Sequence, residues 1–378
     1  TKLDLDFLAA RAVYDRVAME MLDLDGVPLI LWYPSLPAST GIGNSLRYAK
    51  AGKVPVRWFN MLGGDLAECN LESRVAAGLI VRLSRLCGTP LPIPEAMALD
   101  MVEPVAEQIL ALLEEHGRCA FQSYVSQALR VAGVLQARRR NLEGLLMIVG
   151  SEPLTRAKRG LLEAGGASIY HRYFATEAGS IGMGCGNPAA VDELHLMSDM
   201  IAAVQDAELT GPLGGPLYLT TLNRVMPRIM LNVQLGDMAL LGTRNCGCEF
   251  EKLGFHTHLS MVRSYTRYTG EGMAVASTSL ERIIEEVIAP RYGGTPLDYQ
   301  LVEHENDRGR TQLKLRVSPV VGVVDEERMI RDILSELKRE GEGELIMAAI
   351  LGQSSAFTVS RELPQATERG KYAPMLKE

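Results

Sequence analysis

Cys246-Gly247-Cys248 is the densest patch of metal-binding chemistry in this sequence. Two thiols one residue apart do not close easily into a disulfide, yet both thiolates can face one ion. Cys185 and His195, upstream, complete a tetrahedral set with no open position, which marks a structural zinc site rather than a catalytic one. His256 and His258 compete for the nitrogen ligand, and buried free thiols are the plainer reading. Three further residues carry useful charge. Glu177 closes an apolar stretch, where a carboxylate can hold Mg²⁺ through oxygen and share it with phosphates. Asp237 follows a glycine and the apolar run 229–235; alone, a Gly-Asp after a strand is usually a turn. Lys371 ends Thr367-Glu368-Arg369-Gly370-Lys371 near the last residue, and alone it is a solvated tail lysine.

These side chains need elements to hold them. Residues 145–149 read as a buried strand breaking into the loop Gly150-Ser151-Glu152-Pro153. Thr155 stands at a helix start, 158–164 continue the helix, and Gly165-Gly166 stop it. A second strand, 168–174, ends in the polar turn 175–179. Strand, helix, strand and a polar turn at the carboxyl end is where open α/β sheets place ligand chemistry, although an ordinary βαβ unit reads the same way. Upstream, 4–22 has helical spacing, 27–33 and 54–61 suit strands, and Ser39-Thr40 suits the cap of a helix through Lys50. Helices are predicted over 71–86, 94–115 and 123–137. The alternation predicts an α/β protein with a mainly parallel sheet. From about Gly270 the pattern changes: helices over 279–289 and 325–340, strands over 299–302, 312–317 and 357–359, a compact α+β module on a glycine hinge.

Bulk properties narrow the class. The chain has 378 residues, enough for two or three domains, with 47% hydrophobic and 22% charged residues, ordinary for a globular protein. Its 39 basic and 46 acidic side chains leave −7 and no long basic block, so nucleic acid is not expected as a partner. No apolar run reaches the ~18 residues of a membrane span, so no membrane partner is expected either. Six cysteines are too sparse for a disulfide scaffold in a chain this long, which predicts a reducing, cytoplasmic setting.

GSEP (150–153) followed by YFATE (173–177) resembles the paired core motifs of adenylate-forming enzymes, the acyl-CoA ligase superfamily. LNVQLGDMALL (231–241), SLERIIEEV (279–287) and LPQATERGKY (363–372) follow in the family's order. NCGCE (245–249) after the aspartate motif brings the chain closest to the phenylacetate–CoA ligase branch, some of whose members bind zinc through a Cys, a His and a Cys-x-Cys. The resemblance covers the chain from about Leu145 onward. It implies a large N-terminal adenylation domain with mainly parallel sheets (1–268) and a small mobile α+β C-terminal lid (269–378).

It also implies roles. Glu177 and Thr176 serve magnesium and catalysis, Tyr173 or Phe174 forms a flat wall for adenine, and Ser151 and Glu152 border the nucleotide. Asp237 takes the ribose hydroxyls, for which two carboxylate oxygens are well matched. Arg267, in an imperfect match of SYTRYTGEGM (264–273), contacts ribose or phosphate beside a hinge given freedom by Gly270 and Gly272. Lys371 stabilises the charge that develops when an acid attacks the α-phosphate. Phe121, Gln122, Ser151 and His171 are candidate neighbours of the acid. The family's Ser/Thr/Gly-rich phosphate loop is missing: Ala38–Ser45 lacks the lysine and suits a helix cap better. Since residues like 1–4 follow that loop in the family, either an N-terminal segment precedes this chain or the loop is lost.

The implied function is ATP- and Mg²⁺-dependent activation of a small aryl or aryl-alkyl carboxylic acid, then transfer to coenzyme A, with structural Zn²⁺ and room for a homodimer. Three alternatives stand beside it. One is a non-catalytic relative that binds an acyl or nucleotide ligand, and one is an adenylating enzyme that passes the acyl group to an amine or carrier protein. The third, a zinc-ribbon interaction protein, is opposed by the acidic charge and by the size of the rest.

Overall fold

Continuous apolar strands need cover on both faces, and the chain supplies it with alternating helices. In the computed structural model, which describes residues 5–36, 40–61, 71–98, 101–212, 214–264, 267–270, 273–305, 311–340, 348, 351, 357–366 and 371–377, six strands lie side by side, the central ones buried throughout. They are β1 (Leu29–Trp32), β2 (Arg57–Asn60), β3 (Pro94–Ala96), β4 (Cys119–Tyr124), β5 (Leu145–Gly150) and β6 (Ser168–Ala175). All pair in parallel, in the order β3-β2-β1-β4-β5-β6. Helices α1 (Leu5–Met21), α2 (Thr40–Lys50), α3 (Leu71–Leu86), α4 (Val102–His116), α5 (Val125–Ala137) and α6 (Arg156–Glu163) alternate with them. Thr155 caps α6 as its position predicts: its side chain accepts the Lys158 N–H at 3.3 Å. Ser39 lies outside the described residues.

The parallel half continues into β7 (Gly179–Gly184), β8 (Leu194–Leu196), β9 (Ile201–Val204), β10 (Gly215–Thr221), β11 (Val233–Thr243) and β12 (Thr257–Ser264), of which the sequence pattern announced only part of β11. They extend the sheet to twelve strands among the described residues, in the order β6-β7-β8-β12-β11-β10-β9, with β6–β7, β7–β8, β8–β12 and β9–β10 antiparallel. The glycine-rich β7 has little intrinsic strand preference. Packing selects it: a Cβ at Gly184 would stand 2.5 Å from the Tyr170 ring and 2.8 Å from the His171 carbonyl.

Several boundaries differ from the sequence reading. The helix expected over 94–115 splits into β3 and α4, because Pro94 cannot donate to a ladder and is tolerated on an edge strand, where it pairs with Trp58. The helix expected from residue 123 starts at Val125, with Ser123 and Tyr124 ending β4. The strand expected over 229–235 begins only at Val233. Ile229 and Leu231 are 99% and 77% exposed, so their apolarity marks no buried face, and Gly236-Asp237 fall inside β11 rather than in a turn after it.

The chain divides into two compact units, residues 1–235 with 239–262, and residues 263–378 with 236–238 of β11. The second holds a hairpin, β13 (Arg267–Gly270) with β14 (Met273–Ala276), and a sheet ordered β17-β16-β15-β18. Those strands are β15 (Tyr299–Glu305), β16 (Thr311–Val317), β17 (Phe357–Ser360) and β18 (Met375–Lys377). Helices α8 (Ser277–Ile283) and α10 (Glu326–Leu337) share a core with β15 and β16 built on Leu280, Ile283, Tyr299, Leu315, Met329 and Ile333. After α8 the ladder widens to a π-turn over Ile284–Ile288, where the Ala289 N–H reaches Ile284 O, before the short α9 (Ala289–Tyr292). Pro290 follows at once and has no N–H to continue the regular ladder. No described helix is long and apolar enough to cross a membrane.

One glycine is a sharp test of the central sheet. A Cβ at Gly150 would lie 2.6 Å from the Arg172 carbonyl oxygen, a backbone atom that cannot step aside. Gly150→Ala should cost about 1–3 kcal/mol. The change would appear as a lower urea midpoint at unchanged slope.

Candidate functional site

The clearest cluster is built where β8, β12 and the segment after β11 meet. β12 pairs with β8 so that His258 stands opposite His195, and their rings lie 4.2 Å apart. The Cys185, His195, Cys246 and His258 donor atoms all fall within 4.8 Å of one another, and all four residues are buried. Cys248 adjoins them: His195 Nε2 is 3.0 Å from its Sγ and 3.5 Å from that of Cys246. Both imidazoles are oriented from behind. His195 Nδ1 bonds Phe255 O at 2.7 Å and His258 Nδ1 bonds His256 O at 3.0 Å, leaving each Nε2 as the lone-pair nitrogen. His258 Nε2 is buried with no hydrogen-bond partner.

The electrostatics divide the donors. Burial holds His195 neutral, down to about 4, and pushes the Cys185 and Cys246 thiols up. At Cys248 burial is outweighed by the N–H groups of Glu251, Gly186 and Phe250, and this thiol falls below its usual value. Cys248 is the N-cap of α7 (Glu249–Lys252), a position that favours thiolate. A half-buried ion pair ties the two sequence segments together: Arg244 Nε and Nη2 fork onto Glu193 at 2.7 and 2.6 Å, and Nη2 also reaches Asn187 O. Buried sulfur and imidazole donors at this spacing, with an orphaned nitrogen among them, fit tetrahedral zinc. His258, only a competitor on sequence grounds, is part of the tight group.

The turn after β6 is the second feature. Thr176, Glu177 and Ala178 form it, ahead of Gly179 at φ +71°, with Thr176 exposed and Glu177 half-buried. One strand over, β5 is followed by Ser151, whose φ of +65° puts a non-glycine residue in the left-handed region. Glu152 is buried, and its carboxylate accepts the Ser126 N–H and Oγ–H, both at 2.8 Å, at the start of α5. Tyr173 is packed into an apolar cluster with Ile181, Leu194 and Leu217. The Phe174 ring sits among guanidinium groups. Phe121 and Gln122 are buried on β4, and Gln122 Oε1 accepts from Arg172.

Asp237, Arg267 and Lys371 belong to the second unit, whereas Thr176 and Glu177 belong to the first. Asp237 is half-buried beside Gly236, which has φ +91°. Arg267 pairs with Ala276 in the β13–β14 hairpin. Lys371 is half-buried next to Tyr372. Of the hinge expected at Gly270–Gly272, Gly270 ends β13, while residues 271 and 272 lie outside the described residues.

No protein-family model and no curated protein matches the chain. Solved structures do. An amide bond synthetase variant from Marinactinospora thermotolerans is 13% identical, covering 96% of this chain and 64% of its own, with a TM-score of 0.55. An open conformation of 2-hydroxyisobutyryl-CoA ligase, in complex with 2-HIB-AMP and CoA, is 15% identical (88% and 68% covered, TM-score 0.53). O-succinylbenzoate coenzyme A synthetase from Bacillus subtilis, in complex with ATP and magnesium ion, is 11% identical (94% and 63% covered, TM-score 0.52). The chain spans about two thirds of the length of these neighbours. At this identity the likeness speaks of architecture alone. The chain has the α/β fold of adenylate-forming enzymes, and its structural neighbours are members of the acyl-CoA ligase superfamily.

Proposed function

We propose that the protein activates a small aryl or aryl-alkyl carboxylic acid with ATP and Mg²⁺ to an acyl-adenylate and passes it to coenzyme A, as a phenylacetate–CoA ligase-like enzyme. The observation that supports this most is the pairing, at the carboxyl ends of neighbouring parallel strands, of the strained Ser151 after β5 with Thr176-Glu177 after β6. In a sheet of this fold that is where a ligand sits. Glu177 would hold Mg²⁺, Asp237 the ribose, Arg267 a ribose or phosphate oxygen, and Lys371 the α-phosphate and the attacking carboxylate. Residues 269–378 would act as a mobile lid. The Cys/His cluster would hold one structural zinc.

Carboxylate-dependent ATP–pyrophosphate exchange across a panel of acids tests the reading in the full-length protein. Exchange with at least one aryl acid is expected; silence with every acid would leave a binding protein. Asp237→Ala should raise the KM for ATP rather than for the acid, and Glu177→Ala should raise the Mg²⁺ requirement. Unchanged ATP kinetics in either variant removes that residue from the nucleotide site.

A further inference from the structure

Three arginines from α1, α2 and β6 converge on one phenyl ring. The guanidinium carbons of Arg11, Arg47 and Arg172 lie 5.1, 5.0 and 4.5 Å from the Phe174 centroid. Asp15 is the carboxylate among them: it pairs with Arg47 Nε and lies 3.5 Å from Arg172 Nη1. The Arg47, Arg172 and Asp15 side chains are each 2% exposed. Three cations around one anion is an uneven balance in so dry a place. Burial and the neighbouring guanidiniums pull Arg11 down to about 9 and lower Arg47 as well. The proposed adenylation chemistry assigns no role to Arg11, Asp15, Arg47 or Arg172.

Arg172 shows where the missing charge belongs. Its Nη1 end is satisfied by the Tyr48 hydroxyl at 2.9 Å and Gln122 Oε1 at 3.2 Å. Nε and Nη2, which form the side-on fork of the guanidinium, are buried with no hydrogen-bond partner. That fork has the spacing of two oxygens on one planar anion. Leaving both charged donors unmet would carry their full desolvation penalty. Tyr170, two residues earlier on the same face of β6, also holds a buried hydroxyl with no partner. Aromatic side chains of Tyr48 and Phe174 flank the guanidinium, at 5.8 and 4.5 Å. Half-buried Phe174 and Arg11 form the side nearest solvent.

We propose that the Arg172 fork, supported by Arg11 and Arg47, is a buried oxyanion site that binds the carboxylate of a small organic acid. A flat, singly charged group between aromatic walls suits this setting better than a bulky, doubly charged phosphate. The site shares Gln122 and Phe174 with the expected neighbours of the acid and the adenine, but it binds its anion without nucleotide, so a titration free of ATP fails or succeeds independently of pyrophosphate exchange. The test is calorimetric titration of the full-length protein, free of ATP and in a buffer without carboxylates or phosphate. The probes are acetate, benzoate, phenylacetate and inorganic phosphate.

At least one carboxylate should bind and raise Tm, and phosphate should bind it at least tenfold more weakly. Arg172→Lys keeps the charge and loses the fork, and should weaken carboxylate binding by about tenfold or more. Arg172→Gln should abolish binding, and if it does not fold the lysine variant carries the test. Carboxylate binding unchanged in Arg172→Lys overturns the proposal. So does binding of phosphate alone. No binding of any probe would mean that water satisfies the fork, and this too ends the proposal.

Discussion

Lys371→Ala should lower acyl-adenylate formation by about two orders of magnitude or more, as expected for loss of a preorganised charge at the transition state. ATP and acid binding should persist, because one terminal lysine supplies a small share of the ground-state contacts. Thioester formation from pre-made acyl-adenylate should fall much less, since the proposed lid would carry this lysine away before the acceptor arrives. The backbone beside Lys371 is built to hold it. Tyr372, buried, donates to Pro296 O at 2.8 Å. The fully buried Gln300 donates to the carbonyls of Gln365 and Ala373, both at 2.8 Å, and so clamps the loop on either side of the lysine. Single-turnover adenylation of wild type and variant decides the matter. Equal rates would remove Lys371 from catalysis and leave the clamp as plain architecture.

Zinc removal should have the other large effect. Purified protein should contain about one zinc per chain, and chelation or Cys246→Ser should release it and lower Tm sharply, because structural zinc binding is folding free energy, about 10–16 kcal/mol in isolated finger peptides. The geometry sharpens the expectation. With five candidate donors around a four-coordinate ion, either Cys248 or His258 stays outside the coordination shell. Cys248→Ser and His258→Ala should therefore differ, one losing the metal and the other keeping it. Cobalt substitution would count the thiolates through the charge-transfer band. Metal-free protein with unchanged melting would reduce the cluster to buried thiols.

Local chemistry was legible in the sequence wherever a signal was short-range. The strand 145–149, the Thr155 cap and the polar turn after 168–174 were read from periodicity and capping residues, since each depends only on neighbours along the chain. The spacing of Cys185, His195, Cys246 and Cys248 already suggested one ion. What the sequence concealed was set by contacts between distant segments. Pro94 reads as the opening of a helix until β2 is known to lie beside it. The glycines of β7 read as a loop until Tyr170 and the His171 carbonyl are seen to leave room for nothing larger. His258 joins the metal cluster because β12 pairs with β8 in a register that no local pattern encodes. The arginine cluster is the extreme case. Arg11, Arg47 and Arg172 are isolated basic residues in the sequence, and charge on separate helices and strands has no period. Only the fold, in which α1 packs on α2 and on β7 beside β6, brings them to one ring and leaves the Arg172 fork without a partner, because burial and charge balance are properties of the folded chain.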